Sequence, residues 1–307
     1  MDSDYSMKEI VIISGKGGTG KTSIVASLAT LAGKKVLADC DVDAADLHLV
    51  LEPEVLSRND FSGGKKARIL KEECTACGKC IDACRFEAIH YPPVASRTVH
   101  ALPQINPTFC EGCGVCVRVC QDNAIAFEPA VNGQWFISDT RYGPMVHARL
   151  GIAEGNSGKL VSLIRAEARK IAERDELEFI IVDGSPGIGC PVISSITGAD
   201  MVVVVTEPTL SGQHDLDRVA QLTSHFQIPT TACINKWDLN PEMTRQIEAR
   251  LKDQGIQSIG RIRYDPAVTR AQIMKSSVVE YTGGAISEDI RSVWRNIIYA
   301  LGYFINK

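Results

Sequence analysis

The chain has 307 residues, of which 45% are hydrophobic and 23% charged, and its formal net charge is −4. This length and composition exclude a disordered chain and suit one large α/β domain with an insertion, or two ordinary domains. The chain is acidic overall and has no dense blocks of Lys and Arg of the kind that bind DNA or RNA, so we expect no nucleic-acid partner.

The first predicted element is a buried parallel strand at residues 8–14, followed by a Gly-rich turn and a helix that runs to Leu31. A second strand is predicted at Val36–Asp39. After a long interruption the rhythm resumes, with helices near 157–174, 212–226 and 241–254 and strands at 179–183, 201–206 and 230–234. This alternation predicts an α/β fold with a doubly wound, mostly parallel sheet.

The interruption predicts an inserted domain. Residues 62–66 (SGGKK) are typical of a linker, and a cysteine-rich pattern follows them. We therefore predict a main domain in two parts, 1–64 and 130–307, with an insertion at 65–129. The sequence contains no run of about 18 apolar residues, so no transmembrane segment is predicted. The polar N-terminus also lacks the layout of a signal peptide, so we expect a cytoplasmic protein.

A phosphate-binding loop (P-loop) is predicted where the first strand meets the first helix. The matching G-x-x-x-x-G-K-T residues are Gly15, Lys16, Gly17, Gly18, Thr19, Gly20, Lys21 and Thr22. Glycines let backbone N–H groups approach phosphate oxygens, and the helix N-terminus adds positive partial charge. We expect Lys21 to contact the β- and γ-phosphates, Thr22 to ligate Mg²⁺ and Ser23 to border the nucleotide. The alternative is a Gly-rich turn without a ligand.

Lys16 gives the loop the form K-G-G-x-G-K-T. In this the chain resembles the MinD/ParA/Mrp and nitrogenase iron-protein group of P-loop ATPases, over nearly all of its length outside the insertion. The resemblance implies an ATP-dependent homodimer in which Lys16 contacts the partner's nucleotide, as an arginine finger does. It also implies that Asp41, close to Asp39, positions the attacking water. Asp183, at the end of an apolar strand, would hold Mg²⁺.

A base-binding segment is predicted after the strand at 230–234. Residues 235–238 match N-K-x-D, a pattern that binds guanine in GTPases. The family resemblance instead implies that Asn235 contacts adenine, with Lys236 beside it and the loop at 264–266 on the same side. ATP is therefore favoured over GTP.

The insertion contains the spacing C-x2-C-x2-C-x3-C twice, 36 residues apart. This is the spacing of bacterial ferredoxins with two [4Fe-4S] clusters, so the insertion is predicted to be an α+β, ferredoxin-like domain. In such proteins three cysteines of one run and the last of the other hold each cluster. The predicted sets are Cys74, Cys77, Cys80 with Cys120, and Cys110, Cys113, Cys116 with Cys84. The alternatives are a zinc site, which uses paired C-x2-C motifs, and disulfides, which a reducing compartment disfavours.

Three cysteines lie outside these runs. Cys40 directly follows the predicted strand Val36–Asp39, Cys233 lies in the strand predicted at 230–234, and both are predicted to be core residues. Cys190 follows Asp183 by seven residues, a spacing at which the nitrogenase iron protein uses a cysteine to hold a subunit-bridging cluster. Because residues 154–158 offer no second cysteine, a semi-buried thiol is the alternative that we favour. The chain also lacks the late C-x-x-C of Mrp-type cluster carriers.

The apolar residues of 290–305 have helical spacing, which suits a helix packed on the sheet or, alternatively, a membrane-surface helix. Together these features predict an Mg²⁺-dependent ATPase switch that delivers electrons or an iron–sulfur cluster to an unidentified partner protein. The alternative is a MinD/Mrp-like positioning or maturation factor whose clusters only form a docking surface. A DNA-segregation role of the ParA kind is disfavoured by the acidic charge.

Overall fold

A computed structural model describes residues 7–92, 101–151, 155 and 157–302 of the chain. The chain divides into two compact units. The larger unit spans 1–59, 135–149 and 157–307, and the smaller one spans 60–134 and 150–156.

The strands alternate with helices along most of the larger unit. In chain order the strands are β1 Lys8–Ser14, β2 Lys35–Asp39, β3 Glu54–Phe61, β4 Gly64–Ile69, β5 Ile89–His90, β6 Gln104–Ile105, β7 Ile125–Ala130, β8 Gly133–Thr140, β9 Gly143–Leu150, β10 Phe179–Pro186, β11 Met201–Thr206, β12 Thr230–Asn235 and β13 Gln257–Ile262. The helices are α1 Lys21–Leu31, α2 Leu47–Leu51, α3 Lys79–Asp82, α4 Val115–Val119, α5 Ser157–Arg174, α6 Cys190–Ile196, α7 Leu210–His225, α8 Pro241–Asp253, α9 Ala267–Ile273, α10 Val278–Tyr281 and α11 Ala285–Ala300.

The larger unit is built on a sheet in the order β13-β12-β11-β1-β10-β2-β9-β8-β3. The seven strands from β13 to β9 pair in parallel. Its central strands are buried along almost their whole length, which explains their β-branched sequences: both faces are covered by helices. The predicted α/β class with a mostly parallel sheet is confirmed.

The sheet is wider than the sequence predicts. The predicted strand at 179–183 continues to Pro186, and β3, β8 and β9 extend the sheet beyond β2. β8 and β9 mix polar and apolar residues and are joined by only two residues, so they lack the strand-then-helix rhythm on which the prediction relied.

Helix α11 resolves the two alternatives for the C-terminal segment. Ile286, Ile290, Val293 and Ile297 are at most 1% exposed and belong to the main hydrophobic core. The helix therefore packs on the sheet, and the membrane-surface alternative is wrong for residues 285–300. Phe304 and Ile305 lie outside the described residues. No helix among the described residues is long and apolar enough to cross a membrane.

The smaller unit contains short elements around its own small core. β4 pairs antiparallel with β7, β5 pairs antiparallel with β6, and α3 and α4 complete the unit. The predicted linker is wrong at its C-terminal end, because residues 64–66 begin β4 and pair with 128–130 of β7. Gly and Lys are compatible with an exposed strand when a partner supplies the hydrogen bonds.

The 36-residue sequence repeat is also a repeat of backbone shape. Ala76 and Gly112 have φ angles of 57° and 63°, and Glu87 and Asn123 both have φ of 52°. Gly78 and Gly114 have φ of 79° and 72° and precede α3 and α4. The two cysteine runs therefore follow the same local path, with left-handed residues at equivalent positions.

Candidate functional site

A cleft of the larger unit lies at the carboxyl ends of the parallel strands. It has a volume of about 510 Å³ and is lined by residues 17–24, Asp41, Asn235, Lys236 and 262–265. Ligands of open α/β sheets bind at this edge, where loops from neighbouring strands converge. Gly15 and Lys16 lie outside this lining.

The loop between β1 and α1 has the backbone that a phosphate cradle requires. Gly18 and Gly20 adopt φ angles of 80° and 88°, and Gly20 directly precedes α1. A Cβ atom at Gly20 would meet the Asn235 amide at 2.5 Å, and one at Gly15 would overlap Asp215 of α7. These glycines are therefore needed for backbone geometry and for close packing against neighbouring elements.

Lys21 lies at the centre of an acidic cluster. Its Nζ forms an ion pair with Asp183 at the end of β10 and lies 3.4 Å from Asp41 Oδ2. Asp39, at the end of β2, is fully buried beside them. One oxygen each of Asp39 and Asp183 is buried without a hydrogen-bond partner. Unpartnered carboxylate oxygens beside a phosphate loop suit a divalent cation, since Mg²⁺ prefers oxygen ligands.

Burial and charge perturb the protonation of this cluster. Burial raises the pKa of Asp41 to about 6, because the Lys21 ammonium only partly offsets the desolvation and the nearby Asp183 adds to it. Burial and the Asp183 charge raise the pKa of Asp39 well above its usual range. Burial would lower the pKa of Lys21, but the surrounding carboxylates raise it, so its ammonium stays charged.

Hydrogen bonds connect the segment that carries Asp41 with the segment that follows Asp183. The Cys40 N–H donates to the Asp183 carbonyl at 2.8 Å, and the Ser185 hydroxyl donates to the Cys40 carbonyl at 2.7 Å. The Gly187 N–H donates to the Ser14 carbonyl at 2.8 Å, which ties the second segment to the start of the P-loop. A displacement of the residues after Asp183 would therefore be transmitted to the segment that carries Asp41.

The predicted base-binding segment borders the cleft, but its amide is already engaged. Asn235 donates from Nδ2 to the Thr19 carbonyl at 2.7 Å, and its Oδ1 accepts from the Lys236 N–H at 3.0 Å. Asp238 accepts from the Tyr264 N–H at 2.7 Å. Asn235 thus holds the P-loop in place. The Asp238 oxygen that the N-K-x-D pattern would use for guanine holds the 264–266 loop instead.

Lys16 is held by its own chain. Its Nζ lies 2.7 Å from Glu207 Oε1 and 2.8 Å from the Ser211 hydroxyl. Lys236 contacts the other Glu207 oxygen at 3.2 Å and the Gly18 carbonyl at 3.1 Å. Sequence analysis did not identify Glu207, although a charged residue directly after a buried parallel strand was a usable signal.

In the smaller unit, the eight clustered cysteines line two small cavities. One cavity is bordered by Cys74, Cys77, Cys80 and Cys120, and the other by Cys84, Cys110, Cys113 and Cys116. Each cavity thus takes three cysteines from one run and the fourth from the other.

These cysteines are free thiols in a mainly apolar setting. Cys80 and Cys116 are buried, and burial raises the pKa of both thiols. No group of three or more His, Cys, Asp or Glu side chains among the described residues is arranged to hold a single metal ion.

The three remaining cysteines lie in the larger unit. Cys40 and Cys233 are fully buried, as predicted for core residues, and burial raises the pKa of Cys233 to about 12. Cys190 is exposed at the start of α6, so the predicted semi-buried environment is wrong. Gly189 caps α6, Cys190 is its first residue and Pro191 is its second, so the Cys190 thiol lies at the helix N-terminus, outside the core.

Comparison with known proteins places these features in a family. Residues 10–278 match the CobQ/CobB/MinD/ParA nucleotide binding domain. The protein MJ0578 of Methanocaldococcus jannaschii is 36% identical over 241 residues, covering 76% of this chain and 79% of that protein. The ATP-binding protein MJ0547 of the same organism is 48% identical over 303 residues, covering 95% and 88%.

Solved structures show the same fold. The cell division ATPase MinD of Pyrococcus furiosus has a TM-score of 0.56 and 17% identity, covering 96% of this chain and 99% of that one. MinD of Pyrococcus horikoshii, complexed with Mg-ADP, has a TM-score of 0.56 and 18% identity, covering 95% and 96%. The MinC:MinD complex of Aquifex aeolicus is similar to the same degree, with a TM-score of 0.56, 17% identity and coverage of 98% of both chains.

Proposed function

Because the chain belongs to the CobQ/CobB/MinD/ParA family of nucleotide-binding proteins, we propose that it is an Mg²⁺-dependent ATPase that acts as a nucleotide-driven switch. The observation that carries this proposal is the cluster of Lys21, Asp41 and Asp183 at the mouth of the phosphate loop. A cation beside the phosphates, a buried carboxylate for the metal and a second carboxylate for water are the parts that phosphoryl transfer to water needs.

Mg²⁺ would be held by the Thr22 hydroxyl and by Asp183, with Asp39 close behind. The buried, unpartnered oxygens of Asp39 and Asp183 fit that role. The cation supplies charge neutralisation for the phosphates when bound. Lys21, which pairs with Asp41 and Asp183, would bind the phosphates, and the Mg²⁺ charge would compensate these carboxylates in its place. The similarity to MinD complexed with Mg-ADP supports this choice of ligand.

Asp41 is the residue that we assign to the attacking water. Its carboxyl group has a pKa of about 6 in the nucleotide-free chain, so it is mostly ionised at neutral pH and can accept a hydrogen bond from water. Two molecules would join when ATP is bound, with Lys16 reaching the nucleotide of the partner. The Ser185 hydroxyl donates to the Cys40 carbonyl, so a movement of Ser185 on binding or loss of the terminal phosphate would also move the segment that carries Asp41.

The smaller unit would hold two [4Fe-4S] clusters in the crossed arrangement. The two cavities, each bordered by three cysteines of one run and the fourth of the other, fit this donor set. The apolar neighbours Ile89, Ile125 and Phe127 would shield the sites from water. Clusters of this kind supply one-electron transfer when bound, so the switch would control delivery of electrons or of a cluster to a partner protein.

A second candidate function keeps the ATPase and assigns the smaller unit to partner docking. The fold similarity to MinD proteins, one of them in a MinC:MinD complex, favours it. The two candidates differ in one measurable property, which is the dependence of cluster reduction on the nucleotide. A midpoint potential that differs between ADP and a non-hydrolysable ATP analogue supports delivery of electrons. Equal potentials support docking.

The ATPase itself is tested by phosphate release from anaerobically purified protein with Mg²⁺ and ATP. We expect hydrolysis in the wild-type chain and none above background in Lys21→Ala. Asp217→Asn is the matched control, because Asp217 pairs with Arg250 on the helix surface and does not line the cleft. Hydrolysis that persists in Lys21→Ala, or is missing in the wild type, would refute the proposal.

A further inference from the structure

Glu207 occupies an unusual position beside the phosphate loop. It directly follows β11, and its side chain is only 15% exposed. One carboxylate oxygen lies 2.7 Å from Lys16 Nζ and the other lies 3.2 Å from Lys236 Nζ. A single carboxylate thus bridges the ammonium groups of two lysines that come from different strand-end loops.

Both lysines are thereby fixed on the rim of the phosphate loop. Lys236 also donates to the Gly18 carbonyl at 3.1 Å, and Lys16 also donates to the Ser211 hydroxyl at 2.8 Å. Burial alone would raise the pKa of Glu207, but hydrogen bonds from the two lysines lower it below its usual value. The carboxylate is therefore ionised at neutral pH and competes with any other anion for the same two cations.

We propose that Glu207 is an internal counter-anion of the phosphate loop, which holds Lys16 and Lys236 and is displaced from Lys16 when polyphosphate binds. The proposal rests on the proposed nucleotide site. Its physical basis is exchange. The three N–H groups of the Lys16 ammonium face Glu207, Ser211 and Thr209, so a phosphate competes with these partners, and Glu207 is the charged one. Part of the binding energy of the nucleotide is then used to separate Lys16 from Glu207.

The exchange also reaches helix α7. Thr209 caps this helix by accepting from the Gly212 N–H at 2.9 Å, and Lys16 Nζ lies 3.5 Å from the Thr209 hydroxyl. Lys16 therefore bridges the phosphate loop to the first turn of α7 as long as Glu207 holds it there. Release of Lys16 would remove this link, so the start of α7 would respond to the nucleotide.

The test is the substitution Glu207→Gln, which keeps the shape of the side chain and removes its charge. We expect Glu207→Gln to bind an Mg²⁺-loaded, non-hydrolysable ATP analogue about tenfold more tightly than wild type in calorimetric titration, a change of about 1.4 kcal/mol. Asp217→Asn is the matched control, because Asp217 is also 15% exposed and ion-paired, but pairs with Arg250 and does not line the cleft, so the affinity should be unchanged. Equal or weaker binding by Glu207→Gln would overturn the proposal.

A second measurement does not depend on nucleotide binding. The Lys16 amine in the nucleotide-free protein can be modified with an acylating reagent and quantified by peptide mass spectrometry. Loss of the Glu207 charge should raise the labelling rate of Lys16 several-fold in Glu207→Gln, and unchanged labelling would overturn the proposal. If wild-type protein binds no nucleotide, the proposed function fails, and this labelling comparison alone decides the role of Glu207.

Discussion

Replacement of Lys21 by alanine tests how the acidic cluster is held together in the nucleotide-free chain. Lys21 is the cation that Asp183 and Asp41 contact, and its side chain is 6% exposed. Removal of one partner from a buried ion pair costs about 3–5 kcal/mol, because the remaining charges are left without compensation. We therefore expect Lys21→Ala to lower the free energy of unfolding by about 3–5 kcal/mol near neutral pH.

The assay is urea unfolding followed by tryptophan fluorescence. All three tryptophans, Trp135, Trp237 and Trp294, lie in the larger unit, so the signal reports on the unit that contains Lys21. Lys8→Ala is the matched control, since Lys8 pairs with Asp200 at 3.2 Å in a partly exposed position. Such a pair contributes about 0–1 kcal/mol.

The pKa of Asp41 determines how the stability of Lys21→Ala changes with pH. The pKa of Asp41 is already raised to about 6, and without Lys21 it rises further, so the folded state takes up protons at a higher pH than the unfolded chain does. Stability of Lys21→Ala should therefore improve as pH falls from about 7 to about 5, where these carboxyl groups are neutral. A loss below about 1 kcal/mol at neutral pH, or a loss independent of pH, would refute the electrostatic explanation.

Three further outcomes follow from the same geometry. Asp41→Asn should abolish hydrolysis while nucleotide affinity, measured by titration, stays within a few-fold of wild type; a variant that still hydrolyses ATP would exclude Asp41 from the reaction. In wild type, kcat/KM should fall as pH drops through about 6, the pKa of the free Asp41 carboxyl, and a flat profile down to about pH 5 would contradict that assignment. Cys120→Ser should disturb only the cluster of Cys74, Cys77 and Cys80, which electron paramagnetic resonance can detect; loss of both clusters would contradict the crossed assignment. Cys190→Ser is the control and should leave the iron content unchanged; loss of iron would show that Cys190 is a cluster ligand.

Features with local causes could be predicted from the sequence. β1 is a continuous β-branched run that ends at a glycine loop, and its predicted bounds match the structure. Helix α5 was predicted at its observed ends because apolar residues recur at helical spacing. The parallel sheet followed from the alternation of such strands and helices.

Features that depend on pairing between distant segments were missed. β3, β8 and β9 were missed because their mixed sequences do not distinguish a strand from a loop, and they form strands by extending the sheet beyond β2 in the order β9-β8-β3. The hydrogen bond by which Asn235 holds the P-loop joins it to Thr19, 216 positions away in the sequence. The same holds for Glu207 and Lys16, whose ion pair no local pattern encodes.

The cysteine runs stand between these cases. The spacing shows the repeat, and its likeness to that of bacterial ferredoxins implies the crossed sets. Left-handed residues at equivalent positions of the two copies give both runs the same backbone path. That these cavities hold [4Fe-4S] clusters remains a prediction, because the arrangement of the thiols does not by itself identify the metal that they bind.

Native mass spectrometry of the anaerobically isolated chain, in the presence of Mg²⁺ and a non-hydrolysable ATP analogue, measures whether one chain carries both the clusters and the nucleotide. We expect a mass increment of two [4Fe-4S] clusters and one Mg²⁺-nucleotide per chain. A chain that carries neither clusters nor nucleotide under these conditions, or carries zinc in their place, would contradict it.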